Sequence, residues 1–258
     1  MRDLKPYLDY PVSIDRLMDN LHHICMWERL SGTEEELEAF CYMERELKEA
    51  GAETEMIFHD AYISLPVSAK LYINGQEYMC HTASMAKSTP PQGVKGTLVY
   101  VEGGPEEITA ERCRDRIVML GGGAGFEKIH KAWKSGARGV IGCPGEHFHE
   151  KIISNAWGSP TPSTRDLIPD IPYVSVLEKT REEIVELVEN GIYEACILTE
   201  VDTGWRKIPL LFADIRAEQK TDRYVMLSGH LDSWYYGATD NGTANCIQLE
   251  LARIAAQH

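Results

Sequence analysis

Gly229-His230-Leu231-Asp232-Ser233-Trp234-Tyr235-Tyr236-Gly237-Ala238-Thr239-Asp240-Asn241-Gly242-Thr243-Ala244 is the stretch that decides how this chain is read. The apolar run 225–227 before it reads as a strand, and open α/β sheets bind their ligands beyond the carboxyl ends of strands. His230 and Asp232 are two residues apart, so extended backbone points both side chains the same way. A carboxylate so placed can orient the imidazole, the support a metal-bound histidine normally needs. Asp240 stands at the head of the next helix, after a glycine-containing loop able to fold back toward His230. Imidazole and carboxylates together form a ligand set suited to zinc. Read alone, an H-x-D triplet is also common as hydrogen-bonded structure, and both readings stand at this point.

Outward from that stretch, a helix is expected from about Thr243 to Gln257, and two strands, 208–217 and 224–228, flank the polar turn 218–222. At the other end, Ile14, Leu17, Met18, Leu21, Ile24 and Cys25 recur at three-and-four spacing and predict an amphipathic helix within 13–30. A second helix opens at Thr33 with a capping box to Glu36. Leu37, Phe40, Cys41 and Leu47 form its stripe and Gly51 its stop. The two helices are expected to run antiparallel before a first strand near 54–58. From about residue 62 the texture becomes short apolar or alternating runs (69–73, 96–101, 116–120, 139–142, 173–176) broken by Pro and Gly clusters. Two helices interrupt it, 126–135 and one capped by Thr180 with Glu183 and ended by Gly191. This order predicts one α/β domain split by a β-rich insertion, with boundaries at 1–61, 62–200 and 201–258.

The 258 residues hold 40 acidic against 26 basic side chains, a formal charge of −14 that repels phosphate backbones and anionic lipids. Nucleic acid and membrane are therefore excluded as expected partners. No apolar run spans a bilayer, and the first residues lack a secretory apolar core, so a cytoplasmic location is expected. Seven cysteines, odd in number and without a C-x-x-C pair, argue against a disulfide framework and read as small buried apolar residues. The glycine run 121–125 lacks the G-K-[ST] ending of a phosphate loop and reads as a tight turn. His147 and His149 read as a solvated pair, and His22 and His23 as surface or packing residues. Asn241-Gly242-Thr243 matches a glycosylation sequon that has no meaning in the cytoplasm. Trp234, Tyr235 and Tyr236 either wall a substrate pocket or belong to the core.

The string 229–244 is similar to the signature of the co-catalytic di-zinc aminopeptidases of clan MH, in which H-x-D-S is followed by a G-x-x-D-[ND]-G-[ST] turn. Residues 28–51 resemble that family's N-terminal segment, an R-x-x-G-[TS] turn before a helix ending in L-x-x-x-G. The block 113–143 and the segment 171–191 resemble a protease-associated domain. The resemblance implies a partial zinc-exopeptidase α/β/α sandwich interrupted by a protease-associated insert that lies over the cleft. It implies His230 as a ligand of one zinc ion, Asp240 as the carboxylate bridging two, and Asp232 as the residue orienting the site. The implied activity is hydrolysis of N-terminal residues from peptides by zinc-activated water, with two zinc ions per site in the complete enzyme. Some relatives of this architecture are non-catalytic, receptor-like or binding modules, which is the alternative reading. In the family, the general-base Glu and the remaining ligands lie beyond this motif, and the sequence stops at His258 before them. The chain is therefore expected to be inactive, and an unpaired edge at 224–228 is expected to favour association, as in a homo-oligomer, or local disorder.

Overall fold

The computed structural model describes residues 11–257 except 122, 123, 192, 218 and 219. The chain divides into two compact units, one of residues 1–61 with 206–258 and one of residues 62–205. The strands β1 (Glu53–Ile73) and β8 (Glu194–Asp214) are the covalent links, each crossing a boundary within its length.

In the 62–205 unit the apolar runs become strands. They are β2 (Gln76–Tyr78), β3 (His81–Thr82), β4 (Val94–Val101), β5 (Arg116–Leu120), β6 (Gly139–Gly142) and β7 (Tyr173–Ser175). Together with β1 and β8 they form an eight-stranded mixed sheet in the order β2-β1-β8-β4-β5-β6-β7-β3. Its centre, β4 to β7, is parallel, whereas β2, β3 and β8 join antiparallel. Parallel strands are covered on both faces and read as unbroken apolar runs, which is why Ile117, Val118, Met119 and Leu120 are all buried. Alternate residues serve opposite cores. Val118, Leu120, Val140 and Tyr173 join Ile129 and Ala132 of the helix Phe126–Lys134, while Ile117, Met119, Ile141 and Val174 join Ile184 of the helix Glu178–Asn190. Gly142 is required by crowding, since a Cβ there would lie 2.2 Å from the Tyr173 hydroxyl oxygen.

In the other unit, α1 (Ile14–Ile24), α2 (Glu34–Ala50) and α6 (Thr243–Gln257) share a core of Ile24, Ala39, Tyr42, Met43, Leu47, Leu231, Cys246 and Leu249. Between α2 and α6 in chain order lie α3 (Ala110–Cys113), α4 (Phe126–Lys134) and α5 (Glu178–Asn190). Thr33 caps α2 by accepting the Glu36 N–H at 3.3 Å, and Gly51 ends it in the left-handed conformation. Glu36 reaches one residue further back than a capping box requires, accepting the Gly32 N–H at 2.7 Å. Among the described residues no helix is long and apolar enough to cross a membrane.

Four expectations need correction. Residues 224–228 form no strand; Tyr224, Val225 and Met226 are 85%, 91% and 75% exposed, because no neighbour offers them a backbone ladder. His230 therefore follows extended coil rather than a strand end. The helix Glu178–Asn190 begins before Thr180, so Thr180 lies inside it; Leu177 is the capping residue and gives no side-chain bond. The buried faces of α1 and α2 are also displaced. Ile14 and Met18 are exposed, and α2 buries Glu36, Ala39, Tyr42 and Met43 while Cys41 faces outward. Among the cysteines only Cys113 and Cys246 are fully buried. The glycine-run turn falls partly on residues 122 and 123, outside the described residues.

Ile141 is wholly buried between β5 and β7. Ile141→Ala is expected to lower stability by about 2–5 kcal/mol and Ile141→Val by about 0.5–1.5 kcal/mol, measured by denaturant unfolding. Equal, near-zero effects of both would contradict this packing.

Candidate metal centre

The site is assembled on a turn that the N-terminal segment holds from behind. Arg29 is 0% exposed. Its Nε donates to the Leu231 carbonyl at 2.8 Å, and its Nη1 to those of Ile24, Trp27 and Tyr236 at 2.8, 3.1 and 3.0 Å. Nη2 donates to the Gly237 carbonyl at 3.3 Å. The backbone reinforces this, as the Ser233 N–H donates to the Arg29 carbonyl at 2.7 Å. Burial pulls the guanidinium pKa down, opposed by Cys25, Asp232 and Cys246 nearby. Gly237 is in the left-handed region (φ +52°), and a Cβ there would lie 2.2 Å from Ser233 Cβ and 2.8 Å from Arg29 Nη2. The turn therefore needs glycine for both conformation and space.

The structure brings His230, Asp232 and Asp240 together. His230 Nδ1 lies 3.0 Å from Asp232 Oδ1 and 3.0 Å from the Asp232 carbonyl oxygen, and Nε2 lies 2.8 Å from Asp240 Oδ1. Burial lowers the His230 pKa, but the hydrogen bonds and charge of Asp232, joined by Asp240, outweigh it and raise the pKa above its ordinary value. An imidazolium can donate to both carboxylates at once. A divalent cation in place of the Nε2 proton would meet an imidazole nitrogen and a carboxylate oxygen, a donor pair suited to zinc. The remaining nitrogen would keep its bond to Asp232, the usual arrangement of a ligating histidine. The donor set thus fits zinc but supplies only two ligands. Among the described residues no group of three or more His, Cys, Asp or Glu side chains is disposed to hold a metal.

Two amides fix the His230 backbone: Asn241 Nδ2 and Asn245 Nδ2 donate to its carbonyl at 3.2 and 3.0 Å. Asn245, in the first turn of α6, is buried. Trp234, Tyr235 and Tyr236 follow His230 and Asp232 and are 44%, 48% and 70% exposed as residues, and the Tyr235 N–H donates to Glu28 Oε1 at 3.3 Å. His147 and His149 stand exposed in the other unit, whereas His23 stacks on Tyr42 with ring centroids 3.9 Å apart. Sequence reasoning missed Arg29 as an anchor, Ser31, whose hydroxyl donates to Asp232 Oδ2 at 2.5 Å, and Asn245. The only signal for Arg29 and Ser31 was the R-x-x-G-[TS] turn, which carries no hint that its polar groups meet residues some two hundred positions on.

Residues 211–258 match Peptidase family M28. Over 52 residues the chain is 38% identical to the probable glutamate carboxypeptidase VP8 of Zea mays, covering 20% of this chain and 7% of that protein. Its fold is similar to that of an aminopeptidase from Aneurinibacillus sp. strain AM-1, with a TM-score of 0.75, 19% identity and coverage of 95% of this chain and 60% of the other. A zinc aminopeptidase from Bacillus subtilis gives a TM-score of 0.73 at 19% identity, covering 95% and 58% of the two chains. The chain thus spans about three fifths of the length of these two structures.

Burial pushes the Glu36 carboxyl up to about 7, against the lowering effect of the Gly32 N–H, with the Asp232 charge adding to the rise. The unfolded chain gives up this proton near the ordinary carboxylate pKa while the folded chain keeps it. Glu36 therefore favours folding fully at pH 4, and that contribution is lost as pH rises toward and past 7, by about 3 kcal/mol at most. Glu36→Gln keeps an acceptor for Gly32 and carries no titration. Its stability, measured by denaturant midpoint from pH 4 to 8, is expected to gain on that of the wild type as pH rises; parallel curves would refute the assignment.

Proposed function

We propose that this chain, whose residues 211–258 match Peptidase family M28, is part of a zinc-dependent exopeptidase that acts as an aminopeptidase on peptides. The observation that carries the reading is the convergence of His230 Nε2 and Asp240 Oδ1 at 2.8 Å, with Asp232 on the other ring nitrogen. When bound, zinc supplies a Lewis acid that polarises the scissile carbonyl and makes water nucleophilic near neutral pH. In this reading His230, through Nε2, and Asp240 would hold zinc, two ions per site in the complete enzyme, and Asp232 would fix the plane of the His230 ring. Trp234, Tyr235 and Tyr236, all exposed, wall the substrate pocket in this reading. The 62–205 unit is, in this reading, a protease-associated insert. The presence of all three polar residues disfavours the receptor-like alternative.

A second reading rests on the maize relative, a probable glutamate carboxypeptidase. The two differ in which end of a peptide is released. With zinc present, the full-length gene product is expected to free the N-terminal residue of aminoacyl chromogenic substrates. Release of a C-terminal glutamate instead would select the second reading, and no turnover of either would refute both. Asp240→Ala is expected to abolish zinc-dependent turnover, and Asp232→Asn to lower it about 10–100-fold.

Among the described residues two ligands, His230 and Asp240, come together where a catalytic zinc normally has three. Residues 1–258 by themselves are expected to bind zinc weakly and to show no turnover. Zinc-dependent turnover by this segment, abolished by Asp240→Ala, would overturn that assignment of ligands.

A further inference from the structure

We infer that Ser31 is a positioning residue for the metal centre, acting through Asp232 on the ring of His230; the inference rests on the zinc reading of the site. Asp232 uses its two carboxylate oxygens for different purposes. Oδ1 meets His230 Nδ1 at 3.0 Å, and Oδ2 accepts the Ser31 hydroxyl at 2.5 Å. A carboxylate turns about its Cβ–Cγ bond, so one partner leaves its plane free, whereas a partner on each oxygen fixes it. The fixed plane in turn sets the tilt of the imidazole and aims Nε2 at Asp240.

Ser31 is itself held in place. It is buried, with 9% of its surface exposed, between Arg29 and Gly32. On one side the Arg29 backbone is paired to Ser233 and its guanidinium to five carbonyls. On the other, Gly32 is in the left-handed region (φ +78°), and its N–H is taken by Glu36. A Cβ at Gly32 would lie 2.7 Å from Arg206 Cδ, so space as well as conformation restricts this turn to glycine. The hydroxyl is therefore delivered by two braced neighbours rather than by a mobile loop. A hydrogen bond from a neutral donor to a charged acceptor is stronger than one between neutral groups, and here it is partly shielded from water.

The test measures zinc affinity of the full-length protein by competition with a chromogenic chelator, beside thermal unfolding of the metal-free protein. Ser31→Thr and Ser31→Val have the same shape and differ in the hydroxyl. Ser31→Thr is expected to bind zinc within a factor of about three of wild type, and Ser31→Val about 10–100-fold more weakly, as loss of an outer support of a metal ligand does. The two variants should unfold at similar temperatures, since a merely structural role would change stability and not affinity. Combining Ser31→Val with Asp232→Asn should weaken binding no more than Asp232→Asn alone, because both break one relay. Equal affinity of the Thr and Val variants, or additive losses in the double variant, would overturn the role of Ser31. A wild-type protein that binds no zinc, or binds it unaffected by His230→Ala and Asp240→Ala, would instead overturn the zinc reading beneath it.

Discussion

A buried arginine bonded to five backbone carbonyls organises the unit that carries the site. Arg29 spends its side-chain donors on the carbonyls of Ile24, Trp27, Leu231, Tyr236 and Gly237. Removing a guanidinium from water costs several kcal/mol, and only near-complete hydrogen bonding offsets this. Loss of the cation would leave five carbonyls short of a donor. The turn between His230 and Asp240 is thereby tied to the C-terminal end of α1, and its shape follows from that attachment. Gly237 has no freedom to be anything larger, because the same guanidinium and Ser233 occupy the space beside its Cα.

The two units reach stability in different ways. The 62–205 unit buries both faces of its parallel strands, one under α4 and the other under α5, and so closes its own cores. The other unit packs three helices around Ile24, Tyr42, Leu231 and Leu249. It leaves Tyr224, Val225, Met226, Ile247 and Leu251 exposed, an apolar surface of the kind that soluble proteins usually cover. His230 and Asp240 lie in this second unit, where polar anchors add to the apolar core. His230 has its carbonyl held by two asparagine amides and its ring held by two carboxylates.

Much of the fold was legible because local periodicity and punctuation are local physics. β5 and β6 occupy the residues their apolar runs mark, α6 runs from Thr243 to Gln257, and Thr33 and Gly51 bound α2. Where reading failed, a distant neighbour decided. Residues 224–228 carry the composition of a strand, yet strand formation needs a partner ladder that composition does not supply. In α2 the stripe turns so that Tyr42 reaches Asn20 and stacks on His23, and Cys41 is rotated outward as a result.

The spacing H-x-D and the later Asp240 are properties of the sequence by itself: they select an imidazole–carboxylate chemistry and keep its members within a dozen residues. Tertiary structure alone decided that Ser31 would support Asp232, that Arg29 would hold the turn, and that Asn245 would cap the His230 carbonyl. The physical reason is range. Side-chain spacing along a strand or helix is set by backbone geometry over a few residues, whereas the hydrogen-bond partners of Asp232 and of the turn lie about two hundred residues away. No pattern in either segment specifies the meeting; it follows from the packing of α1, α2 and α6 around a common core.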